Sequence, residues 1–481
     1  MTSSMSSSFT DIIKGDVITV DHPEYISSLA RWAKNAERKA RVVVFVKDAD
    51  DVSKSILYAK ENNLQIAIRG GGHNAAGASS AEDGLVIDLS RYLQGVRVDA
   101  EKKLAYVGGG ALWKHVDAEA IKYGFATVGG TVNHLPPVKT GVGGLTVGGG
   151  HGFLSGRHGL TIDNLKQVTI VTASGAILTA NESENEDLFW AVRGGGSNFG
   201  VVTEFVFQLH PQRATVFAGA ILFPVQKAKE LVEATTKWLE NIKADESMTQ
   251  VYAVDDSGKI IIAAFVFFNG SEEEGRLNFK SLYDIGPAVD LAKEIPYEEL
   301  NGLMGAKLDH GKSYYLSGLS QKKPCYEATI ELIQKLSDFS KTGLKPAVGF
   351  EYMSQTKVNS IPVSETAFRR QLAYNILCNI QWDGEGPDRT DEARVLSREI
   401  TEIILRGQGT LSEAEKQGYT NYGHDLSLPT SLSIAPHLDH QGPSSKVERA
   451  FTSNYPRLQQ IKKKYDPEVI FNKWYPIEPA A

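Results

Sequence analysis

Two kinds of apolar pattern alternate along the first 210 residues. Residues 41–46 (RVVVFV) and 64–68 (LQIAI) are short apolar runs rich in β-branched side chains, as expected of strands buried on both faces. Between them, residues 48–62 read as a helix with acidic residues in its first turn, where they complement the helix dipole. The three together form a β-α-β pattern. Further strands are predicted at 85–88, 104–107, 168–172 and 201–209, and a helix at 111–123. Beyond His210 the pattern changes. Residues 216–223, 259–268 (KIIIAAFVFF) and 372–382 read as strands of a broad sheet, and 225–242, 326–341 and 391–406 as helices that cover it. Residues 445–465 are basic and helical in pattern, with Pro456 opening the last helix. The charged run SEEEG at 271–275 reads as a solvated turn. No internal repeat or low-complexity linker is present.

Composition narrows the class. A chain of 481 residues with 42% hydrophobic and 23% charged residues is ordinary for a globular protein of two or three domains. A net charge of −7 disfavours nucleic acid, which requires a basic stripe. The two cysteines, Cys325 and Cys378, have neither disulfide-framework nor metal-ligand spacing and read as free thiols of a reducing compartment. Residues 1–10 are Ser/Thr-rich without an apolar run, and no stretch reaches the ~18 apolar residues of a membrane helix. An intracellular, membrane-free protein is expected.

Glycine is the first functional signal. Of 45 glycines, 26 fall between Arg69 and Gly200. Such a concentration suits backbone lying close against a ligand. None of the clusters meets G-x-G-x-x-G, which disfavours a Rossmann dinucleotide site. GAKLDHGKS at 305–313 has five residues between its glycines where a P-loop has four. Arg69-Gly70-Gly71-Gly72-His73-Asn74 follows directly on a strand, so its successive amides can form a concave anion site to which Arg69 adds charge. An imidazole beside a cofactor can be a nucleophile, or it can simply hydrogen-bond the loop. His134, His151 and His158 lie in glycine-rich backbone without a carboxylate at ligand spacing, so no metal is expected. His115 reads as a surface residue of its helix.

Five ordered blocks resemble the berberine-bridge-enzyme-like FAD-linked oxidases of the vanillyl-alcohol-oxidase, or PCMH-type, superfamily. Residues 69–77 (RGGGHNAAG) are similar to that family's R-x-G-G-H-x-x-x-G, whose histidine is bonded to the flavin 8α-methyl group. Residues 141–152 (GVGGLTVGGGHG) and 159–165 (GLTIDNL) resemble its second cofactor segment, and 190–203 (WAVRGGGSNFGVVT) its W-A-x-R-G-G-G-x-N-F-G-x-V-T. Residues 454–458 and 465–471 resemble the C-terminal segment that returns to the flavin domain. The likeness spans about residues 40–210 and 415–475 and is loose between. It implies an α+β fold: a two-subdomain PCMH-type FAD domain (1–210), a substrate domain with a large antiparallel sheet covered by helices (211–434), and a returning segment (435–481).

The resemblance implies FAD held by Arg69, Gly70, Gly71, Gly72, His73, Asn74, Gly77, Thr140, Gly141, Gly143, Gly144, Gly148, Gly149, Gly150, Gly152, Asn164, Gly196, Asn198, Gly200, Val202, Tyr422 and Asn472, with one covalent link through His73. Residues 130–141 lack the cysteine that gives many relatives a second flavin bond, and Leu135-Pro-Pro-Val-Lys139 looks inserted. A flavin of this type removes a hydride from a carbon bearing oxygen or nitrogen, on a small alcohol, sugar-like compound or secondary metabolite, and is most simply reoxidised by O₂. A dehydrogenase using another acceptor, and a flavin binder without turnover, are the alternatives. A base must take the substrate proton. Residues 419–425 (YTNYGHD) resemble the family's Y-x-N-Y-x-x-D and nominate Tyr422, whose ordinary pKa of about 10 would have to fall. Tyr374 and Asn375, on a strand expected to face the flavin, are the other catalytic candidates. Leu377 is apolar where the family often places a charged or amide side chain.

Overall fold

The β-α-β pattern folds as its spacing predicts. Strand Val42–Phe45 is wholly buried, helix Ala49–Glu61 follows with Asp48 as N-cap, and strand Ile66–Arg69 leads to the glycine loop. These strands join Asp16–Thr19 and Leu85–Asp88 in a four-stranded sheet, parallel where Leu85–Asp88 pairs with its two neighbours. The computed structural model describes residues 7–132, 140–255, 257–304, 311–370, 373–409, 411–412, 416, 418–423 and 446–481. His134, the Leu135–Lys139 stretch, the first six residues of the 305–313 run, Asp425 and the 434/435 boundary lie outside these.

A second, antiparallel sheet has five strands in the order Val96–Asp99, Leu104–Gly108, Val201–Gln208, Leu165–Val171 and Ile177–Asn181. Its core is closed from far along the chain. Phe451, Leu458, Ile461, Trp474 and Ile477 pack among Trp113, Phe189, Phe199 and Phe207. Two polar devices fasten this segment. Asn198 donates from Nδ2 to the carbonyls of Trp474 (3.0 Å) and Tyr475 (3.2 Å), and its Oδ1 accepts from Ile477 N (3.1 Å). Lys462, fully buried, donates to Asn198 O (2.8 Å), Phe471 O (2.8 Å) and Asp466 Oδ2 (2.7 Å).

The third sheet is large and antiparallel. Its path runs Val289–Asp290, Thr215–Phe223, Ile260–Phe268, Glu246–Val254, Lys345–Met353, Tyr374–Asp383 and Lys312–Gln321. Helices Ala228–Leu239, Tyr326–Phe339 and Thr390–Arg406 cover one face, the last burying Ala393, Leu396, Ile400 and Ile404 at helical spacing. The strands Glu246–Val254, Lys312–Gln321 and Lys345–Met353 were not legible in the apolar pattern, because polar residues interrupt them. The SEEEG turn is instead the start of helix Glu272–Asn278, where Ser271 and Glu274 form a reciprocal cap. His115 is half-buried, and its Nδ1 accepts from Leu112 N at 3.4 Å. Among the described residues no helix is long and apolar enough to cross a membrane.

Candidate functional site

A cavity of about 300 Å³ runs between the glycine segments and the uncovered face of the third sheet. Its first wall is backbone. The chain leaves strand Ile66–Arg69 into Gly70–Gly72, with Gly72 at φ +69°, a left-handed conformation that a side chain disfavours. A Cβ at Gly141 would sit 2.5 Å from Gly71 N, so only glycine lets the two segments meet. Asn74 Oδ1 accepts from Ala78 N (3.0 Å) and Asn74 O from Gly77 N (3.3 Å), closing the turn after His73. The His73 ring lies against Trp32, with centroids 4.3 Å apart, and Trp32 stacks on Tyr314 of the third sheet at 4.0 Å.

The opposite wall is built of side chains. Strand alternation sends every second residue of Lys345–Met353, Tyr374–Asp383 and Lys312–Gln321 toward the cavity. Register aligns Leu316 with Asn379, Gly318 with Leu377 and Gly349, and Ser320 with Asn375 and Glu351. Above this last row stands Tyr422, whose hydroxyl donates to Glu351 Oε1 at 2.7 Å. Burial pushes the Glu351 carboxyl up to about 7, against the opposing pull of Tyr422 and Asn375. Burial, and after it the Glu351 charge, push the Tyr422 phenol well above its ordinary value. Tyr419 Oη accepts from Gly150 N (2.8 Å) and Asn421 Nδ2 (2.6 Å). His151, half-buried on the glycine segment and edge-on to Tyr419 at 4.8 Å, is pushed down to about 3 by desolvation and is neutral.

Five buried polar atoms on cavity-lining residues have no partner among the described residues: Trp32 Nε1, Thr140 Oγ1, His151 Nδ1, Glu351 Oε2 and Asn379 Oδ1. Buried polar groups are rarely left so, which marks a ligand site. No lysine or arginine lines it among the described residues. A flat polar ring system with an extended diphosphate fits these donors and acceptors and this glycine backbone.

The cavity gathers Gly70, Gly71, Gly72, His73, Asn74, Thr140, Gly141, Gly143, Gly144, Gly200, Val202 and Tyr422. Other nominated residues serve the frame. Arg69 does not add its charge to the cavity; it pairs with Asp88 (2.8 Å) and donates to Ser28 O. Gly77 lies in the closing turn. Gly148 faces Asn421, Gly149 faces Phe368, Gly152 abuts Gly129 O and Gly196 abuts Trp474, while Gly150 offers its amide to Tyr419. Asn164 holds the carbonyls of His158 and Leu160 and meets His210, Asn198 fastens the C-terminal segment, and Asn472 donates to Val469 O. His158 stacks on His210, with ring centroids 3.8 Å apart. Two catalytic expectations are corrected. Tyr374 points to the helix-covered face, edge-on to Tyr352 at 5.4 Å, because its parity is that of Ile376 and Cys378. Tyr422 is not a phenol of lowered pKa but a donor to a carboxyl. Asn375 is buried beside Glu351 in register, off the cavity lining.

Sequence reasoning missed Glu351, Trp32 and the part played by Tyr419. The available signal for Glu351 was a lone carboxylate between two aromatic residues, Phe350 and Tyr352. The charged side chain that Leu377 does not provide is present on the neighbouring strand as Glu351, two residues from the position paired with Leu377.

Residues 40–181 match the FAD binding domain family, and residues 418–478 match the family described as berberine and berberine like. The FAD-linked oxidoreductase pgmH of Aspergillus terreus is 32% identical over 97% of this chain and 94% of its own length. The solved structure of 6-hydroxy-D-nicotine oxidase from Arthrobacter nicotinovorans superposes with a TM-score of 0.84 at 27% identity, covering 99% of this chain and 100% of that one. Glucooligosaccharide oxidase from Acremonium strictum, whose FAD is 6-S-cysteinyl and 8α-N1-histidyl, shares the fold at TM-score 0.79 and 22% identity over 97% and 98% of the two chains.

Proposed function

The chain belongs to the berberine-bridge-enzyme-like FAD-linked oxidoreductases, and on that premise we propose that it is an oxidase using O₂, with FAD bonded once, to His73. The substrate is a small alcohol, sugar-like compound or amine-bearing secondary metabolite, oxidised at the carbon that carries oxygen or nitrogen. The division 1–210, 211–434 and 435–481 belongs to the same reading.

One observation carries the chemistry: the buried Glu351 carboxyl, poised at about 7 and 2.7 Å from the Tyr422 hydroxyl, across the cavity from the glycine loop. Bound FAD supplies a two-electron acceptor for the substrate C–H bond. The amides of Gly70–Gly72 and of Gly141, Gly143 and Gly144 would hold its diphosphate in place of cationic side chains. Thr140 Oγ1 and His151 Nδ1, without partners among the described residues, would be available to it. Glu351, when ionised, takes the substrate hydroxyl or ammonium proton, and Tyr422 orients that carboxylate and donates to it. His151, neutral, adds no charge to the wall.

Three assays test this. Acid-precipitated protein should stay yellow in wild type and lose its flavin in His73→Ala. Anaerobic mixing with a substrate panel should bleach the flavin. Readmitted air should yield peroxide in step with product. A flavin that bleaches but returns no peroxide would make the protein a dehydrogenase with another acceptor.

A further inference from the structure

Behind the glycine loop two guanidinium groups, Arg31 and Arg69, lie near one carboxylate, Asp88, which pairs with Arg69. Arg69 takes Asp88 at 2.8 Å. Arg31 is only 3% exposed, and every hydrogen bond its guanidinium makes among the described residues goes to a backbone carbonyl. Nε and Nη2 donate to Ser79 O (3.1 and 2.8 Å), and Nη1 donates to Ser28, Leu29 and Ala30 (3.2, 3.1 and 3.0 Å). The other acid nearby, Glu37, accepts from the Arg31 backbone amide (3.3 Å) but pairs with Lys34 (3.2 Å). Lys34 also meets Glu385 (3.7 Å), so among the described residues Arg31 is the one cation of the three that makes no ion pair of its own. Burying a cation short of counter-charge is costly, and burial, with Arg69 beside it, pushes Arg31 down to about 9.

The Arg31 side chain lies against the glycine loop. A Cβ on Gly72 would lie 3.3 Å from Arg31 Cδ and 3.3 Å from Arg69 Nε, so both side chains press on the rear of the loop whose front lines the cavity. Ser79, the carbonyl Arg31 grips twice, lines the same cavity. We infer that Arg31 is a positioning residue for the anionic half of the cofactor: the FAD diphosphate, bound to the loop amides, supplies the counter-charge that Arg31 lacks in the protein. This rests on the proposed FAD reading. It differs from the sequence expectation, which gave that task to Arg69 alone.

The test uses His73→Ala protein, from which flavin can be stripped. Quenching of flavin fluorescence measures its binding of FAD and of riboflavin, which has no phosphate, with and without Arg31→Met or Arg31→Lys. Arg31→Met is expected to weaken FAD about tenfold or more, the order of a charge acting across a loop at intermediate dielectric, and to leave riboflavin binding unchanged. Arg31→Lys, which keeps the charge but loses most of the carbonyl contacts, is expected to hold FAD within about threefold, and added salt should narrow the gap between Met and Lys. Equal loss of FAD and riboflavin in Arg31→Met, or failure of Arg31→Lys alongside it, would make Arg31 a neutral strut and overturn the inference. Failure of the His73→Ala parent to bind either flavin would remove the FAD reading itself, and this inference with it.

Discussion

The two walls of the cavity solve different problems with different materials. The cofactor wall is glycine backbone, drawn from segments such as 70–74 and 140–144, each nearly continuous in sequence. The substrate wall is a row of side chains, Glu351, Leu377, Asn379 and Leu316, brought together from three strands and capped by Tyr422. Main-chain amides suit a ligand that never changes, and glycine lets them approach it closely. Chemistry that must move a proton needs a titratable group at one place, so that wall depends on single residues. The contrast predicts that substitutions on the substrate wall abolish turnover while sparing the cofactor, and that those on the cofactor wall do the reverse.

Glu351→Gln should show the largest effect. Loss of a general base costs about 10²–10⁴-fold in kcat/KM, with flavin content unchanged on absorbance. The pH profile sharpens this. Glu351 accepts a proton only when ionised and titrates at about 7, so wild-type kcat/KM should rise with pH through about 7 and flatten above, and Glu351→Gln should lose that limb. Tyr422→Phe removes a hydrogen bond to a charged group, worth about 1.5–3 kcal/mol, or roughly tenfold to a hundredfold in rate. Because that bond holds the Glu351 carboxyl down, the limb should move to higher pH in the same variant. On the other wall, Gly141→Ala forces apart two backbones at 2.5 Å, an overpacking of about 1–3 kcal/mol that should appear as under-loading with flavin while the loaded fraction turns over normally. Tyr374→Phe, on the helix-covered face, should change kcat and KM by less than about twofold.

This division also explains what could be read without coordinates. The glycine wall was legible because each segment is local: Gly70–His73 follows its strand directly, and 141–144 stands as an intact run. The sheet wall was not, because its members meet only through register. Glu351 pairs with Asn375 across strands 24 residues apart in sequence, a pairing that no local pattern announces. Parity misled at Tyr374. Its strand was recognised, but which face it presents is set by where the helices dock, and one step moves a residue from cavity to core. Arg69 misled for another reason. Its charge suited an anion, yet its partner Asp88 lies on the adjacent strand, paired to it by register.

The fastening of the C-terminal segment also bears on how the protein is made. Trp474 borders the cavity, and the buried Lys462 and Asn198 bonds tie residues 462–477 to a glycine segment more than 260 positions earlier. During synthesis the first two glycine segments emerge long before the piece that completes their enclosure. The nascent flavin half therefore waits with its core open until residues 462–477 have been made.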